Sequence, residues 1–154
     1  MSSTPSQAAR PYYPGLLPRE GAILKAWLAV HESEYDRFDY NVRVGPGSDP
    51  GPRYSDALRQ QAIQNSQLRI DAVGWQGSQP TIIEVKENAG TSALGQLLTY
   101  NAHWQAAYPS GPAPKLLLAT DRLNTNVAIP LQAHGITYDV VLPDYTGLPG
   151  PPGS

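Results

Sequence analysis

The sequence predicts an α/β fold in which a mixed β-sheet is flanked by helices. Short apolar or alternating segments of strand length are separated by longer segments whose apolar residues recur at helical spacing. Three predicted strands come first, and a helix then leads to two further strands. Such an order gives antiparallel pairs at one side of the sheet and parallel pairs at the other. The predicted order of the core is α-β-β-β-α-β-α-β, and it occupies residues 18–142.

The first helix and the first strand are predicted before a turn-rich insertion. Pro18 suits the first turn of a helix that extends to about residue 33. Residues 35–44 alternate, and their apolar members are expected on one face of a strand: Phe38, Tyr40, Val42 and Val44. The Pro- and Gly-rich residues 45–52 cannot continue a ladder. Ser55 then caps a short predicted helix.

The remaining elements follow from the same kinds of pattern. Residues 68–75 and 81–86 are predicted as a hairpin, because turn-forming residues separate two apolar strands. A helix is predicted from residue 91 or 92 to about residue 108, where a proline and a glycine end it. The last three predicted elements are a strand, a short helix and a strand, at residues 115–120, 125–134 and 136–142.

The composition limits the kinds of protein that this chain can be. Its 154 residues suffice for one domain with a buried core. The absence of cysteine excludes disulfides, thiolate metal sites and a cysteine nucleophile. The formal net charge of −2 argues against a nucleic-acid coating protein, since such proteins bind phosphate through an excess of lysine and arginine. No apolar run approaches the roughly 18 residues of a membrane span, so no membrane partner and a cytoplasmic location are expected.

Three charged side chains are predicted to converge on the hairpin. Glu84 and Lys86 lie two residues apart on one strand and therefore share a face, whereas Ile83 and Val85 point away. Pairing of the two strands then brings Asp71 beside Glu84. Two carboxylates next to an ammonium group suit a Mg²⁺ site, because Mg²⁺ prefers oxygen ligands and keeps several waters. The alternative is a solvent-facing strand pair with a surface ion pair worth under about 1 kcal/mol.

Further polar residues are expected near this site. Gln96 and Tyr100 are one turn apart on the helix that follows the hairpin, where they either belong to the site or form an ordinary polar helix face. Arg69, two residues before Asp71, is expected either to hold a phosphate or to pair with a carboxylate. Glu20 has two open interpretations. It is either a further acid of the site, reached from the first helix, or a first-turn glutamate favoured by the helix dipole.

The pattern of these residues resembles the PD-(D/E)XK nuclease superfamily, and the Gln-x-x-x-Tyr motif is similar to that of its RecB-like branch. The residues that carry the resemblance are Arg69, Asp71, Glu84, Lys86, Gln96 and Tyr100. The resemblance covers residues 18–142 in element order, with one departure in that no proline directly precedes Asp71. It implies a restriction-endonuclease-like core and Mg²⁺-dependent hydrolysis of DNA phosphodiester bonds.

The resemblance also implies a metal centre with an adjacent lysine. Mg²⁺, or Mn²⁺ as a substitute, is expected to be held by Asp71, Glu84 and the backbone carbonyl of Val85. Lys86 is expected to position the attacking water.

Supporting roles are implied for four other residues. Gln96 is expected to orient groups of the catalytic site, and Glu20 would join that site under the first of its two interpretations. Tyr100 and Arg69 are expected to contact the bound DNA.

A second function class is a structural or adaptor protein built on the same fold. Residues 1–17 are predicted as an extended N-terminal arm, and residues 143–154 as a Pro/Gly-rich tail. The aromatic residues Tyr12, Tyr13 and Tyr145 suit protein contacts, either in a homo-oligomer or in the head or neck of a phage. Under this alternative the protein would lie in a virion, and its site would be silent or vestigial.

Overall fold

The computed structural model describes residues 5–150 and shows a five-stranded mixed sheet with four α-helices. The predicted α/β class and the mixed sheet are therefore confirmed. In chain order the elements are α1 (Pro18–His31), β1 (Arg37–Val44), α2 (Asp56–Ser66), β2 (Leu68–Gln76), β3 (Gln79–Lys86), α3 (Thr91–Ala107), β4 (Lys115–Thr120), α4 (Thr125–Ala133) and β5 (Ile136–Val140). None of the helices in residues 5–150 combines the length and apolar character needed to cross a membrane.

The strands lie in the sheet in the order in which they occur in the chain. β1, β2 and β3 pair antiparallel, whereas β3, β4 and β5 pair parallel. The hairpin between β2 and β3 turns at Gly77, whose φ of 58° is accessible to glycine at little cost. α3 and α4 supply the crossovers that parallel neighbours require. α2 buries none of its residues, as suits an insertion outside the core.

Two hydrophobic clusters hold the helices to the opposite faces of the sheet. On one face, α1 inserts Ile23, Leu24, Trp27 and Leu28 against β-strand residues that include Ile83. On the other face, α3 and α4 pack against residues that include Ile82 and Leu118. Because successive strand residues point to opposite faces, β3 and β4 are apolar along most of their length. Polar side chains in these strands therefore stand out as exceptions.

β1 changes faces at Asn41. Phe38 and Tyr40 pack on the α1 side of the sheet, whereas Val42 and Val44 belong to the α3 side. Asn41, between the two pairs, has a left-handed backbone with φ 53°, a conformation that asparagine tolerates better than most residues. The prediction that the four apolar residues share one face is therefore wrong, since strict alternation is lost at this residue.

The described part of the N-terminal arm, residues 5–17, packs against α1 and β1. The Tyr13 hydroxyl donates to the carbonyl of Gln7 at 2.7 Å, and the ring of Tyr13 is 2% exposed. Lys25 of α1 donates to the carbonyls of Ala8 and Arg10. Instead of standing free, this segment closes one of the two hydrophobic clusters.

The tail also lies against the domain as far as Gly150. The backbone N–H of Val141 donates to the carbonyl of Thr120 at 2.8 Å. The Tyr145 hydroxyl donates to Asp121 at 2.8 Å, beyond the carboxyl end of β4. The tail thus flanks the edge of the sheet at which β4 ends.

Replacing Tyr13 with alanine should lower the free energy of unfolding by about 3 kcal/mol, because it empties a buried aromatic site. Tyr12 is the matched control: it is 71% exposed, and its replacement with alanine should change stability by less than about 0.5 kcal/mol. Urea titration of both variants, followed by circular dichroism, measures the difference. Equal stabilities would show that the N-terminal segment is not part of the core.

Candidate functional site

The candidate site lies where the hairpin of β2 and β3 opens. Ladder pairing ends at Ala72, and Asp71 stands opposite Glu84 just beyond the last pair. β2 changes faces here, because Ile70 packs on the α3 side and Ala72 on the α1 side. Asp71 Oδ2 accepts a hydrogen bond of 2.8 Å from the backbone N–H of Val85, in place of a ladder bond. The Asp71 carboxyl group is thereby fixed between the two strands.

The half-buried Asp71 and the buried Glu84 form a pair of carboxyl groups. Glu84 is 4% exposed, and its neighbours along β3 are core residues. Burial raises the pKa of Asp71 to about 6, and the nearby Glu20 carboxylate adds to the rise. Burial, followed by the charge of Asp71, raises the pKa of Glu84 to about 9, while Lys86 opposes the rise. Near neutral pH the pair therefore retains one proton between two acids.

Two oxygens at this site are buried without a partner. Glu84 Oε2 and Gln96 Oε1 accept no hydrogen bond from any described residue. Leaving a buried acceptor unsatisfied costs about 1–3 kcal/mol, so each is a position where a ligand would be stabilising. Carboxylate and amide oxygens are the ligands that hard cations prefer. The two carboxyl groups of Asp71 and Glu84 are thus of the chemical type that Mg²⁺ prefers.

The number of acidic ligands is small. Within residues 5–150, no three His, Asp or Glu side chains are grouped so that they could hold a metal ion together. Two carboxylates still suffice for Mg²⁺, which usually keeps several waters and takes further oxygens from a phosphate substrate. Whether the Val85 carbonyl contributes stays a prediction.

α3 places Tyr100 beside this pair, on the side of the helix that faces the sheet. Gln96 lies one turn before Tyr100, and its side-chain oxygen is buried. Tyr100 is 6% exposed, and burial together with the neighbouring Glu84 carboxyl raises its pKa. Tyr100 thus sits beside the Glu84 carboxyl, and its contact with DNA stays a prediction.

Lys86 and Glu20 are at the mouth of the site. Lys86 is half-buried at the end of β3, and its ammonium group has no hydrogen bond or ion pair within residues 5–150. Its charge lowers the pKa of both Asp71 and Glu84, which places it close to each. Glu20 accepts a hydrogen bond of 2.9 Å from the Leu17 N–H and so caps α1. The Glu20 carboxylate also contributes to the raised pKa of Asp71, and its membership of the site stays a prediction.

Arg69 is not brought to the carboxyl pair. It lies opposite Arg43 in the ladder between β1 and β2, and it makes no hydrogen bond or ion pair with Asp71 or Glu84 within the described part of the chain. Because β2 changes faces between Ile70 and Ala72, the spacing of two residues does not place Arg69 on the face of Asp71. Pairing of Arg69 with Glu84 is therefore not observed.

Asn41 is a residue of this region that the sequence did not single out. It stands opposite Asp71 in register, between the pairs that join β1 to β2. Its side chain lies against Gly15, where a Cβ atom would come within 2.5 Å of Asn41 Oδ1. An asparagine in the middle of an otherwise alternating strand was the available signal, since asparagine is depleted in strands. The close contact between Asn41 and Gly15 places this part of the N-terminal segment beside β1.

Comparison of the chain with protein-family models, with curated proteins and with solved structures found no match. The function is therefore inferred from the geometry and chemistry of the site.

Proposed function

We propose that the protein is a Mg²⁺-dependent nuclease that hydrolyses DNA phosphodiester bonds. The observation that carries the proposal is the pair of the half-buried Asp71 and the buried Glu84, with an unpartnered Glu84 oxygen and the charge of Lys86 nearby. A cluster of desolvated charges destabilises a fold unless a ligand compensates it. A structural protein gains nothing from such a cluster.

The topology supports a restriction-endonuclease-like core as part of this proposal. Three antiparallel strands lead through α3 to the parallel strands β4 and β5, with α1 on the opposite face. This is the arrangement that the resemblance to the PD-(D/E)XK superfamily implies. The support is an analogy of fold, so the site residues carry the functional part of the proposal.

Asp71 and Glu84 would hold the cation, and their shared proton leaves when it binds. Bound Mg²⁺ supplies a Lewis acid that draws charge from the phosphate oxygens and acidifies water. In the reaction a water oxygen forms a bond to phosphorus while the bond from phosphorus to one ester oxygen breaks. The water loses one proton and the leaving oxygen gains one, so the products are a phosphate monoester and an alcohol.

Lys86 would orient the attacking water and stabilise the negative charge that develops on the phosphate. Gln96 has a buried side-chain oxygen without a partner and would position the metal or its waters. Tyr100 would hold Glu84 in place, and Glu20 would contribute negative charge near the cation. Arg69 remains a predicted DNA contact outside the carboxyl pair.

The test is cleavage of end-labelled DNA oligonucleotides by the purified protein with Mg²⁺ and with a chelator. We expect cleavage only with the cation, and replacement of Asp71 with asparagine should reduce the rate by about 10²-fold or more. Asp56→Asn is the matched control, because the Asp56 side chain is fully exposed on α2. The absence of metal-dependent cleavage of single- and double-stranded DNA would refute the proposal.

The alternative, an adaptor protein of a phage virion, gains little from the structure. It relied on Tyr12, Tyr13 and Tyr145 as free contact residues. Tyr13 is buried and Tyr145 is hydrogen-bonded to Asp121, which leaves Tyr12 exposed. Association through the arms stays a prediction, to be checked by co-purification and light scattering.

A further inference from the structure

The sheet has two edge strands, β1 and β5, which differ in how they are protected. An edge strand presents unpaired backbone N–H and C=O groups, to which a strand of another chain can pair. Proteins commonly prevent such pairing with charged side chains, with an irregular backbone, or with a segment that covers the edge. The two edges can be compared on these three features.

β1 has all three forms of protection. Three of its side chains are charged and exposed: Arg37, Asp39 and Arg43. The left-handed backbone of Asn41, with φ 53°, interrupts the regular strand. The N-terminal segment lies against the strand, since the Tyr40 hydroxyl donates to the Gln7 side chain at 2.6 Å. β1 is therefore a poor template for a further strand.

β5 has none of these forms of protection within residues 5–150. The strand Ile136–Val140 contains no lysine, arginine or proline, and none of its residues has a positive φ. Its one acid, Asp139, accepts a hydrogen bond of 2.8 Å from the Trp27 indole and is thereby held against α1. β5 pairs in the sheet with β4 alone, and no backbone hydrogen bond of the described residues reaches its outer side. Its outer side is therefore open to another strand.

The residues of β5 and of the segment directly after it suit such pairing. Isoleucine, threonine, tyrosine and valine, which make up most of β5, are residue types that favour strands. Val140 at the end of the strand is 55% exposed, and Leu142 just beyond it is 94% exposed. A regular strand edge bordered by exposed apolar side chains is either a contact surface or a site of aggregation.

A second copy of the chain fits this edge when the two strands run antiparallel. If Tyr138 lies on the two-fold axis, Ile136 stands opposite Val140 of the second copy. These residues share one face of the strand, because alternate residues point the same way, so apolar side chains meet apolar side chains there. On the other face Thr137 stands opposite Asp139 of the second copy. No two like charges are opposed, and the edge is therefore complementary to itself.

We propose that the protein forms a two-fold dimer in which β5 pairs antiparallel with β5 of a second copy. The two sheets would then form one continuous sheet. A two-fold contact closes after two copies, whereas pairing of β5 with β1 of another copy would build an open filament. The protection of β1 opposes that filament. The dimer is independent of the proposed nuclease function, and it uses a surface other than the terminal arms.

The first measurement is sedimentation velocity of the full-length protein from about 1 to about 100 μM, a range that brackets micromolar dissociation constants. The mass should rise from that of one chain to that of two and then stay constant. Hydrogen exchange at both ends of this range should locate the contact. Amides of β5 should exchange more slowly at the higher concentration, whereas those of β1 should not change.

Two substitutions of Thr137 test the register, and both should fold because this residue is exposed. Thr137→Asp would set a carboxylate opposite Asp139 at both symmetric positions. It should raise the dissociation constant of the dimer about 10-fold, since two cross-strand pairs of like charge are created. Thr137→Lys would create two pairs of opposite charge and should lower the constant. Thr99→Asp, an exposed change of the same kind on α3, is the control and should leave the constant unaltered.

Each result decides for or against the dimer. A mass of one chain throughout the concentration range overturns the proposal, and so does slower exchange confined to elements other than β5. Equal weakening by Thr137→Asp and Thr137→Lys contradicts the register. Circular dichroism checks the folding of each variant. If Thr137→Asp does not fold, the lysine variant decides alone, because a dimer that it fails to tighten does not set Thr137 opposite Asp139.

Discussion

Replacing Lys86 with methionine should lower the rate of DNA cleavage by about 10²-fold or more while Mg²⁺ affinity is retained. Methionine keeps much of the apolar stem and removes the charge. The Lys86 ammonium group has no ion pair within the described residues, so its charge is available to the reacting phosphate and water. Its removal should therefore affect the chemical step more than folding or metal binding.

The comparison uses single-turnover cleavage for the rate and calorimetric titration for the affinity of Mg²⁺. Lys115→Met is the matched control, because Lys115 begins β4 at the opposite end of the parallel strands and is exposed. A rise in Mg²⁺ affinity on replacement of Lys86 would agree with the prediction, because a positive charge near the cation is lost. An unchanged cleavage rate would exclude Lys86 from the reaction.

The metal-free protein should lose stability as the pH rises, and Glu84→Gln should remove much of that loss. The ordinary pKa values of the two acids are 3.8 and 4.5, and in the folded protein they are raised to about 6 for Asp71 and about 9 for Glu84. Between pH 4 and 9 the folded state therefore binds more protons than the unfolded state. Stability that is present at low pH is consequently lost as the pH rises through this window.

The measurement is urea unfolding in a chelator at about pH 5.5 and about pH 8.5, values chosen within this window. At the higher pH the free energy of unfolding of Glu84→Gln should exceed that of the unmodified protein by at least about 1 kcal/mol. This is roughly the free energy that corresponds to one pKa unit. Asp56→Asn, an exposed change of the same kind, should leave the pH dependence unaltered. Mg²⁺ should make the stability of the unmodified protein depend less on pH, because the cation takes the place of the retained proton. Identical pH dependence in both proteins would show that the pair is not buried as described.

Much of the architecture followed from local patterns. The apolar run of β4, the turn between β2 and β3, and Pro18 at the start of α1 are features of neighbouring residues, and each predicted its element. Glu84 and Lys86 likewise share a face because they are two residues apart in a regular strand. These predictions needed no knowledge of distant parts of the chain.

The failures came where distant residues decide the conformation. The face of Val42 and Val44 depends on the left-handed Asn41, which lies against Gly15. The same loss of alternation in β2 separates Arg69 from Asp71. The burial of Tyr13 depends on partners in α1 and β1 that a Pro-rich segment does not reveal. Local propensity cannot report such contacts.

The position of Gly150 has a practical consequence for handling the protein. A purification tag or fluorescent fusion placed after Ser154 would be separated by only four residues from Gly150, which lines a cavity together with Lys86 and Glu87. Near the N-terminus, Ser6 and Gln7 are hydrogen-bonded to Glu32, directly after the last residue of α1, whereas this cavity lies at the first turn of α1. At 1.5 Å per residue, the 14 residues of α1 separate these two places by about 20 Å. Recombinant protein intended for assays should carry its tag at the N-terminus.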